Sequence, residues 1–113
     1  MQDLISWNDF EKIEMRVGTI ITVNEFPEAK KPAYQLIIDF GEQIGIRKTS
    51  AQITKRYSKD DLLDKQIVAV VNFPKKQIGK FMSECLVLGA VGADNDVVLI
   101  SSDMKVDNGL RVG

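Results

Sequence analysis

Residues 15–23, MRVGTIITV, decide the fold of this chain. The stretch is rich in β-branched residues and has a glycine near its start, a pattern that predicts a long strand bending at Gly18. Residues 34–40 (YQLIIDF) and 44–48 predict a second and a third strand, joined into a hairpin by a turn at residues 41–43. The first half of the chain therefore predicts an antiparallel meander.

The second half of the chain continues this pattern after one connecting helix. Residues 50–57 (SAQITKRY) predict that helix, because Ser50 is a candidate cap and Ile53 and Tyr57 are four residues apart. The further predicted strand segments are 67–71, 78–82, 85–91 and 97–100. About five strand segments precede the C-terminal tail, with one helical connection between the third and the fourth, which predicts an all-β fold, a five-stranded OB-fold Greek-key barrel with a short inter-strand helix. A small β-sandwich is the alternative, and the helix and the long first strand favour the barrel.

The N-terminal residues predict a short helix. Ser6, followed by WND, resembles a capping box. Leu4, Trp7, Phe10 and Ile13 recur every three residues and form an apolar stripe. This stripe either covers the end of the barrel or packs on a second copy of the chain.

Composition narrows the class of protein. A chain of 113 residues with 44% hydrophobic residues fits one domain with its own core. It has one cysteine, Cys85, and no histidine, which argues against intrachain disulfides, the usual zinc sites and an imidazole base. The acidic N-terminus lacks the basic region of a signal peptide, and no apolar run approaches ~18 residues. We expect a cytoplasmic protein without membrane insertion.

The residues that could carry catalysis have simpler interpretations. Asp60, Asp61 and Asp64 indicate the charged start of a helix, and Cys85 indicates a small buried hydrophobe at the start of an apolar strand. A cysteine without a histidine lacks the base that would activate it as a nucleophile. The sequence therefore predicts a protein that is not an enzyme and needs no metal or cofactor.

Charge is strongly segregated although the net charge is only -1. Residues 47–83 contain nine basic and three acidic residues, a balance of +6, whereas residues 1–46 carry -4 and residues 84–113 carry -3. Such a block is either a solvated surface or a surface that receives anions.

The basic residues fall in two segments that include aromatic residues. The first holds Arg47, Lys48, Lys55 and Arg56; the second holds Lys75, Lys76 and Lys80 beside Phe73 and Phe81. If the barrel brings both segments to one side, the cations would follow a phosphate backbone while a phenylalanine stacks on a base. Phe73 and Phe81 are equally compatible with a place in the core.

Five segments carry a family resemblance that spans nearly the whole chain: residues 9–20 (DFEKIEMRVGTI), 26–41 (FPEAKKPAYQLIIDFG), 44–57 (IGIRKTSAQITKRY), 65–74 (KQIVAVVNFP) and 81–90 (FMSECLVLGA). They closely resemble the CsaA group of the tRNA-binding domain family, small bacterial proteins described as export-related chaperones. The resemblance implies an OB barrel whose terminal extensions form a homodimer. Residues 1–113 would then be a single tRNA-binding-type domain, with Leu4, Trp7, Phe10 and Ile13 at the dimer interface.

The resemblance also implies a tRNA site. The Arg-Val-Gly of the family falls on residues 16–18, its Asn-hydrophobic-Pro-basic stretch on residues 72–76, and its serine on Ser83. An asparagine and a serine beside cations can hydrogen-bond unstacked RNA loops. With the basic block, the candidate RNA-binding residues are Arg16, Arg47, Lys48, Lys55, Arg56, Asn72, Lys75, Lys76, Lys80 and Ser83.

Two departures from the wider family point towards the CsaA group. Phe26-Pro27 stands where many tRNA-binding members have His-Pro, and Cys85-Leu86 where they have a small residue and Met. The resemblance to CsaA implies a second function, binding of unfolded preproteins and the export ATPase through apolar pockets. Its candidate residues are Ile46, Phe73, Phe81 and Met82, which make an exposed apolar patch if they are outside the core. The basic block would repel the basic end of an export signal, which favours RNA as the ligand.

Overall fold

The computed structural model describes residue 1 and residues 3–113. The first helix, α1 (Trp7–Glu11), begins with the predicted capping box, in which the Ser6 hydroxyl accepts from the Asp9 N–H and the Asp9 carboxylate accepts from the Ser6 N–H. Two shorter helices follow, α2 (Gly41–Ile44) and α3 (Lys59–Leu62). Within the described residues, no helix has the length and apolar content needed to cross a membrane.

The strands account for most of the regular structure. In chain order they are β1 (Met15–Glu25), β2 (Tyr34–Asp39), β3 (Ile46–Ala51), β4 (Gln66–Val70), β5 (Lys76–Ile78), β6 (Phe81–Ser83), β7 (Leu86–Val87), β8 (Gly89–Val91), β9 (Val97–Leu99) and β10 (Arg111–Val112). The main sheet has the antiparallel order β3-β2-β1-β4-β7, and β10 pairs with the start of β1. The β5–β6 and β8–β9 pairs form two separate hairpins.

The main sheet curls into a nearly closed barrel. The long strand β1 pairs with β4 along its first half and with β2 along its second half. On the open side, the N–H of Glu84 donates to the carbonyl of Lys48 at 2.8 Å, which joins the segment after β6 to β3. The predicted OB-fold barrel is confirmed.

The core lies inside this barrel, and its packing explains why position 18 is a glycine. Leu36, Ile38 and Phe40 alternate with partly exposed residues along β2 and just after it, and each is fully buried. A Cβ on Gly18 would lie 2.6 Å from the ring of Phe40, so only glycine fits there. A bend at Gly18 stays a prediction, and the register of β1 against β2 shifts further along, between Ile20 and Thr22.

The helix predicted at residues 50–57 is also wrong. β3 continues to Ala51, and Ser50 pairs with Gln35 of β2. The inter-strand helix is α3, which begins after Ser58 with a capping box completed by Asp61 and buries Leu62. A serine followed three residues later by an aspartate caps a helix better than Ser50 does, because both side chains satisfy backbone N–H groups. Asp60 and Asp61 lie in the first turn of α3, as predicted, whereas Asp64 lies beyond the end of the helix.

Four smaller predictions are corrected. Residues 78–82 are not one strand but the turn of the β5–β6 hairpin, which Gly79 makes possible with φ of +61°. Residues 41–43 form the start of α2 rather than a simple turn, and the third strand begins at Ile46 rather than at residue 44. The segment 85–91 divides into β7 and β8, which pair with different strands.

Candidate nucleic-acid interface

A cleft of about 520 Å³ opens between β3 and the two hairpins, and we call it the main cleft. Much of its lining is apolar, with Ile78, Leu86, Val91 and Val97 among the side chains. Phe73, which lies between β4 and β5, also lines it and is 55% exposed. The main cleft therefore offers a wide apolar surface to a flat or apolar ligand.

One side of the main cleft carries hydroxyl groups. Thr49 is buried, and its hydroxyl lies 2.7 Å from the carbonyl of Cys85 and 2.7 Å from the hydroxyl of Ser83. Because Thr49 gives its one proton to the carbonyl, Ser83 donates its own proton to Thr49. The oxygen of Ser83 then keeps acceptor capacity for a donor in the cleft. The structure therefore places Ser83 in the cleft, where it can accept a hydrogen bond from a ligand.

Cys85 lies in the wall of the same cleft. It is only 7% exposed, and burial raises the pKa of its thiol to about 12, while the nearby Arg47 guanidinium opposes the rise. The thiol is therefore neutral at physiological pH and unsuited to nucleophilic attack. The prediction of a small buried hydrophobe is confirmed.

Arg16 and Asn72 are bound to the protein itself. The Arg16 guanidinium donates to the carboxylate of Glu14 and, at 2.9 Å, to the carbonyl of Gly109. The Asn72 amide donates to the carbonyl of Lys12 at 2.7 Å and accepts from the N–H of Glu14 at 3.0 Å. The Arg16 bond joins the start of β1 to the segment before β10, and the Asn72 bonds join the segment before β1 to the end of β4. A role of either residue in RNA binding stays a prediction.

Lys55 and Arg56 bind the turn at residues 92–96. The Arg56 guanidinium donates to both carboxylate oxygens of Asp96, and the Lys55 ammonium donates to the carbonyl of Asp94 at 2.9 Å. The hydrogen bond from Arg56 lowers the pKa of Asp96 below its ordinary value. Asn95, in the same turn, lines the main cleft. These two cations position one wall of the cleft.

Two more candidate cations have partners in the barrel. Arg47 donates to the carbonyl of Val71 at 2.6 Å, and the Lys75 ammonium lies 3.4 Å from the carboxylate of Glu84. Burial would raise the pKa of Glu84, but the N–H of Lys48 and the ammonium of Lys75 together lower it below its ordinary value. Glu84 therefore stays ionised and fixes the seam between β3 and the end of β6.

Lys76 and Lys80 are the free cations of the β5–β6 hairpin. Lys76 is exposed and lines the main cleft, and Lys80 is exposed at the hairpin turn. Among the described residues, neither ammonium group has an ion pair. Their charges are therefore available to an anionic ligand.

A second cleft, of about 470 Å³, lies beside the hairpin turn at Gly79 and Lys80, and we call it the small cleft. The rings of Phe26 and Phe81 meet there, with centroids 5.3 Å apart, and the Lys48 ammonium lies 5.3 Å from the centroid of Phe81. Ile46, which is 62% exposed, and Met82, which is half-buried, line neither cleft. The two aromatic candidates are thus divided, Phe73 to the main cleft and Phe81 to the small one.

Residues 15–111 match the family described as "Putative tRNA binding domain". The chain belongs to this family. The matched segment runs from the start of β1 into β10, so the family resemblance covers the whole barrel and both clefts. The resemblance inferred from the sequence is confirmed.

Two solved structures share the fold over almost their whole length. A crystal structure of the chaperone CsaA from Bacillus anthracis is 47% identical, with a TM-score of 0.93, and the match covers 98% of this chain and 100% of that one. A crystal structure of the CsaA chaperone protein from Picrophilus torridus is 52% identical, with a TM-score of 0.91, and covers 97% and 100%. The barrel is thus similar to CsaA structures throughout.

The chain is also similar to part of a much longer protein. It is 34% identical over 110 residues to a methionine–tRNA ligase from Thermococcus onnurineus. The match covers 97% of this chain but only 14% of the ligase. The similarity therefore concerns one domain of that ligase.

Proposed function

We propose that this protein is a non-enzymatic, CsaA-like RNA-binding protein whose ligand is tRNA and which acts in the cytoplasm as a homodimer. One observation carries the proposal: two cations of the β5–β6 hairpin without an ion pair among the described residues, Lys76 in the lining of the main cleft and Lys80 in that of the small cleft, lie close to apolar surface with exposed Phe73. Unpaired bases stack on aromatic and apolar surfaces while cations contact the phosphates. Membership of the tRNA-binding domain family supports tRNA as the RNA.

The first experiment measures tRNA binding by fluorescence anisotropy over a salt series. The parent is expected to lose affinity steeply as salt rises, because each phosphate contact releases counterions. The double variant Lys76→Ala with Lys80→Ala should reduce the slope of log K against log salt by about 1 per lysine. The matched variant Lys59→Ala with Lys105→Ala removes the same charge away from both clefts and should keep the parental slope.

Two results would contradict the RNA assignment. One is the absence of tRNA binding by the parent at low salt. The other is an equal loss of slope in the two double variants, which would mean that the net charge of the protein and not the hairpin attracts the RNA. Thermal unfolding of each variant checks that the fold is intact.

The homodimer rests on the apolar residues at the N-terminus. Leu4 is 98% exposed, Trp7 is 73% exposed and Ile13 is 39% exposed, while Phe10 packs its ring 5.6 Å from that of Trp7. Such a patch on one copy is costly in water and is removed by a second copy. Residues 1–113 would form one domain whose terminal segments meet the partner, and a dimer doubles the RNA-binding surface. Leu4→Ser with Trp7→Ser should give a monomer by sedimentation equilibrium, and an unchanged dimer would reject this interface.

A second function, an export-related chaperone, is favoured by the apolar character of the main cleft. Phe73 is exposed at its edge, and the chain is similar to proteins described as CsaA chaperones. In this proposal the cleft takes apolar side chains of unfolded preproteins, with the export ATPase as a further partner. Phe73→Ser should weaken binding of an unfolded preprotein segment while the tRNA salt slope stays parental. If the segment competes with tRNA, both ligands share the main cleft.

A further inference from the structure

We propose that the small cleft is a binding subsite for one unpaired guanine of the RNA, an inference that rests on the proposed function. The cleft is lined by Phe26, Glu28, Gln35, Lys80 and Phe81, with Gly79 at its edge. It brings together an aromatic surface, a carboxylate, an amide and a cation. Each of these groups finds a partner in a guanine nucleotide.

The aromatic part is formed by residues far apart in sequence. Phe26 is buried at the end of β1 and supports the ring of Phe81, which is half-buried in the hairpin. The Lys48 ammonium contacts the same ring, and Lys80 lies at the hairpin turn. A base stacked on the accessible part of Phe81 would place its phosphate near these two cations.

The polar part of the small cleft makes the distinction between bases. Among the described residues, the carboxylate of Glu28 and the side-chain amide of Gln35 have no hydrogen-bond partner, and Glu28 has no ion pair. An ionised carboxylate accepts two parallel N–H groups. Guanine is the base whose Watson–Crick edge presents two adjacent N–H donors, and unpaired RNA bases are read on that edge. The Gln35 amide can serve a further polar atom of the base.

Other ligands leave part of this cleft unsatisfied. An apolar peptide side chain would use Phe81 but would desolvate Glu28 and Gln35 without hydrogen bonds. An acidic side chain would pair with Lys48 or Lys80 but leave Glu28 without a donor, and a basic one would pair with Glu28 but leave the lysines without an anion. A guanine nucleotide puts its donors on the carboxylate and its negative charge on the lysines.

The two clefts adjoin along one face of the hairpin. Lys76 pairs with Ser83 and Ile78 with Phe81, so these four residues share a face. Lys76, Ile78 and Ser83 line the main cleft, and Phe81 lines the small cleft. One RNA strand could therefore pass from the main cleft to the small cleft over the hairpin turn and leave a base in each.

The test uses fluorescein-labelled uridine pentamers with guanine, inosine, adenine, cytosine or uracil at the centre, measured with the full-length protein. The parent should bind the guanine pentamer about tenfold more tightly than the others, the discrimination that one bidentate contact supplies. Inosine keeps one of the two N–H donors and should give an intermediate affinity. Equal affinity for all pentamers would overturn the guanine subsite while leaving the RNA proposal intact.

The variant Glu28→Gln tests the role of the carboxylate without disturbing the fold, because Glu28 is exposed. Removing a negative charge should raise the affinity for every pentamer. The ratio of the affinity for the guanine pentamer to that for the others should fall towards 1. The control Glu42→Gln removes an exposed carboxylate from α2 and should keep the preference. A guanine preference that survives Glu28→Gln would overturn the proposal. If neither tRNA nor any pentamer binds, the proposed function itself fails.

Discussion

The start of β1 and the β5–β6 hairpin contain the same kinds of residues and use them in opposite ways. At β1, Arg16 and Asn72 donate to backbone carbonyls of the chain itself. At the hairpin, Lys76 and Lys80 are exposed and unpaired within the described residues. The density of charge along the sequence therefore does not by itself identify the cations that are available to a ligand. The partners that the fold supplies decide which cations are occupied.

The physical reason lies in the side chains. A guanidinium presents several donors in a fixed plane, so a half-buried arginine such as Arg16 collects carboxylate and carbonyl partners from neighbouring segments. An ammonium on a flexible stem at a hairpin turn finds no such fixed partner and stays in water. Variants in the two regions should therefore separate stability from RNA binding.

The largest effect is expected for Arg16→Met. The substitution keeps the aliphatic volume but removes the charge-assisted hydrogen bond to Gly109, so the free energy of unfolding should fall by about 2 kcal/mol. Urea unfolding measures this loss. The tRNA affinity of the folded variant should equal that of the parent. A stable variant with weakened tRNA binding would instead show that Arg16 contacts RNA. The start of β1 and the hairpin would then not differ in role.

A somewhat smaller loss is expected for Asn72→Ala. The amide links the carbonyl of Lys12 to the N–H of Glu14, and losing both hydrogen bonds should lower the free energy of unfolding by about 1 kcal/mol. Gln43→Ala in α2 changes an exposed amide without such bonds and should leave stability unchanged. If the two variants have the same free energy of unfolding, the hydrogen bonds of Asn72 to Lys12 and Glu14 do not stabilise the fold.

Acid should destabilise the protein through its capping residues. Backbone and side-chain hydrogen bonds from Ser6 and Ser58 lower the pKa values of Asp9 and Asp61 below 3.8. A carboxylate whose pKa is lowered in the folded state stabilises that state at pH values above its ordinary pKa. This stabilisation disappears as the pH falls through the pKa of the folded state. The Tm should therefore fall below about pH 4, and less so in Asp61→Asn. The Lys76→Ala and Lys80→Ala double variant should follow the parental profile.

The smallest effect is expected for Arg56→Gln. The pair with Asp96 is exposed, so water and salt screen it and the Tm at physiological salt should not change measurably. Because Arg56 is already occupied by Asp96, the tRNA salt slope should also stay parental. A slope reduced by about 1 would show that Arg56 exchanges Asp96 for a phosphate, and the division between occupied and free cations would need revision.

Local patterns predicted those parts of the fold that local chemistry determines. The capping box at Ser6, the alternation along β2 and the burial of Cys85 are visible in short stretches of sequence. The helix at residues 50–57 was misplaced because the spacing of Ile53 and Tyr57 also fits a strand end followed by a turn.

The candidate site depends on contacts that no short stretch reveals. The sequence indicated Lys76, Lys80 and Ser83, but not that Arg16 would bond to Gly109 or that Thr49 would hold Ser83. The small cleft was missed altogether, because its floor joins two phenylalanines from distant segments and its carboxylate lies in a loop outside the basic block. Only the pairing of strands brings these groups together.

Cys85 gives the protein a native reporter of barrel motion. The chain has no other cysteine, and the Cys85 thiol is buried and neutral while the barrel is closed. It would therefore react with a thiol reagent only when the seam between β3 and the end of β6 opens. The labelling rate at pH 8 would thus report how often the barrel opens. A ligand seated in the main cleft, whose wall includes Cys85, should slow that rate without any engineered label.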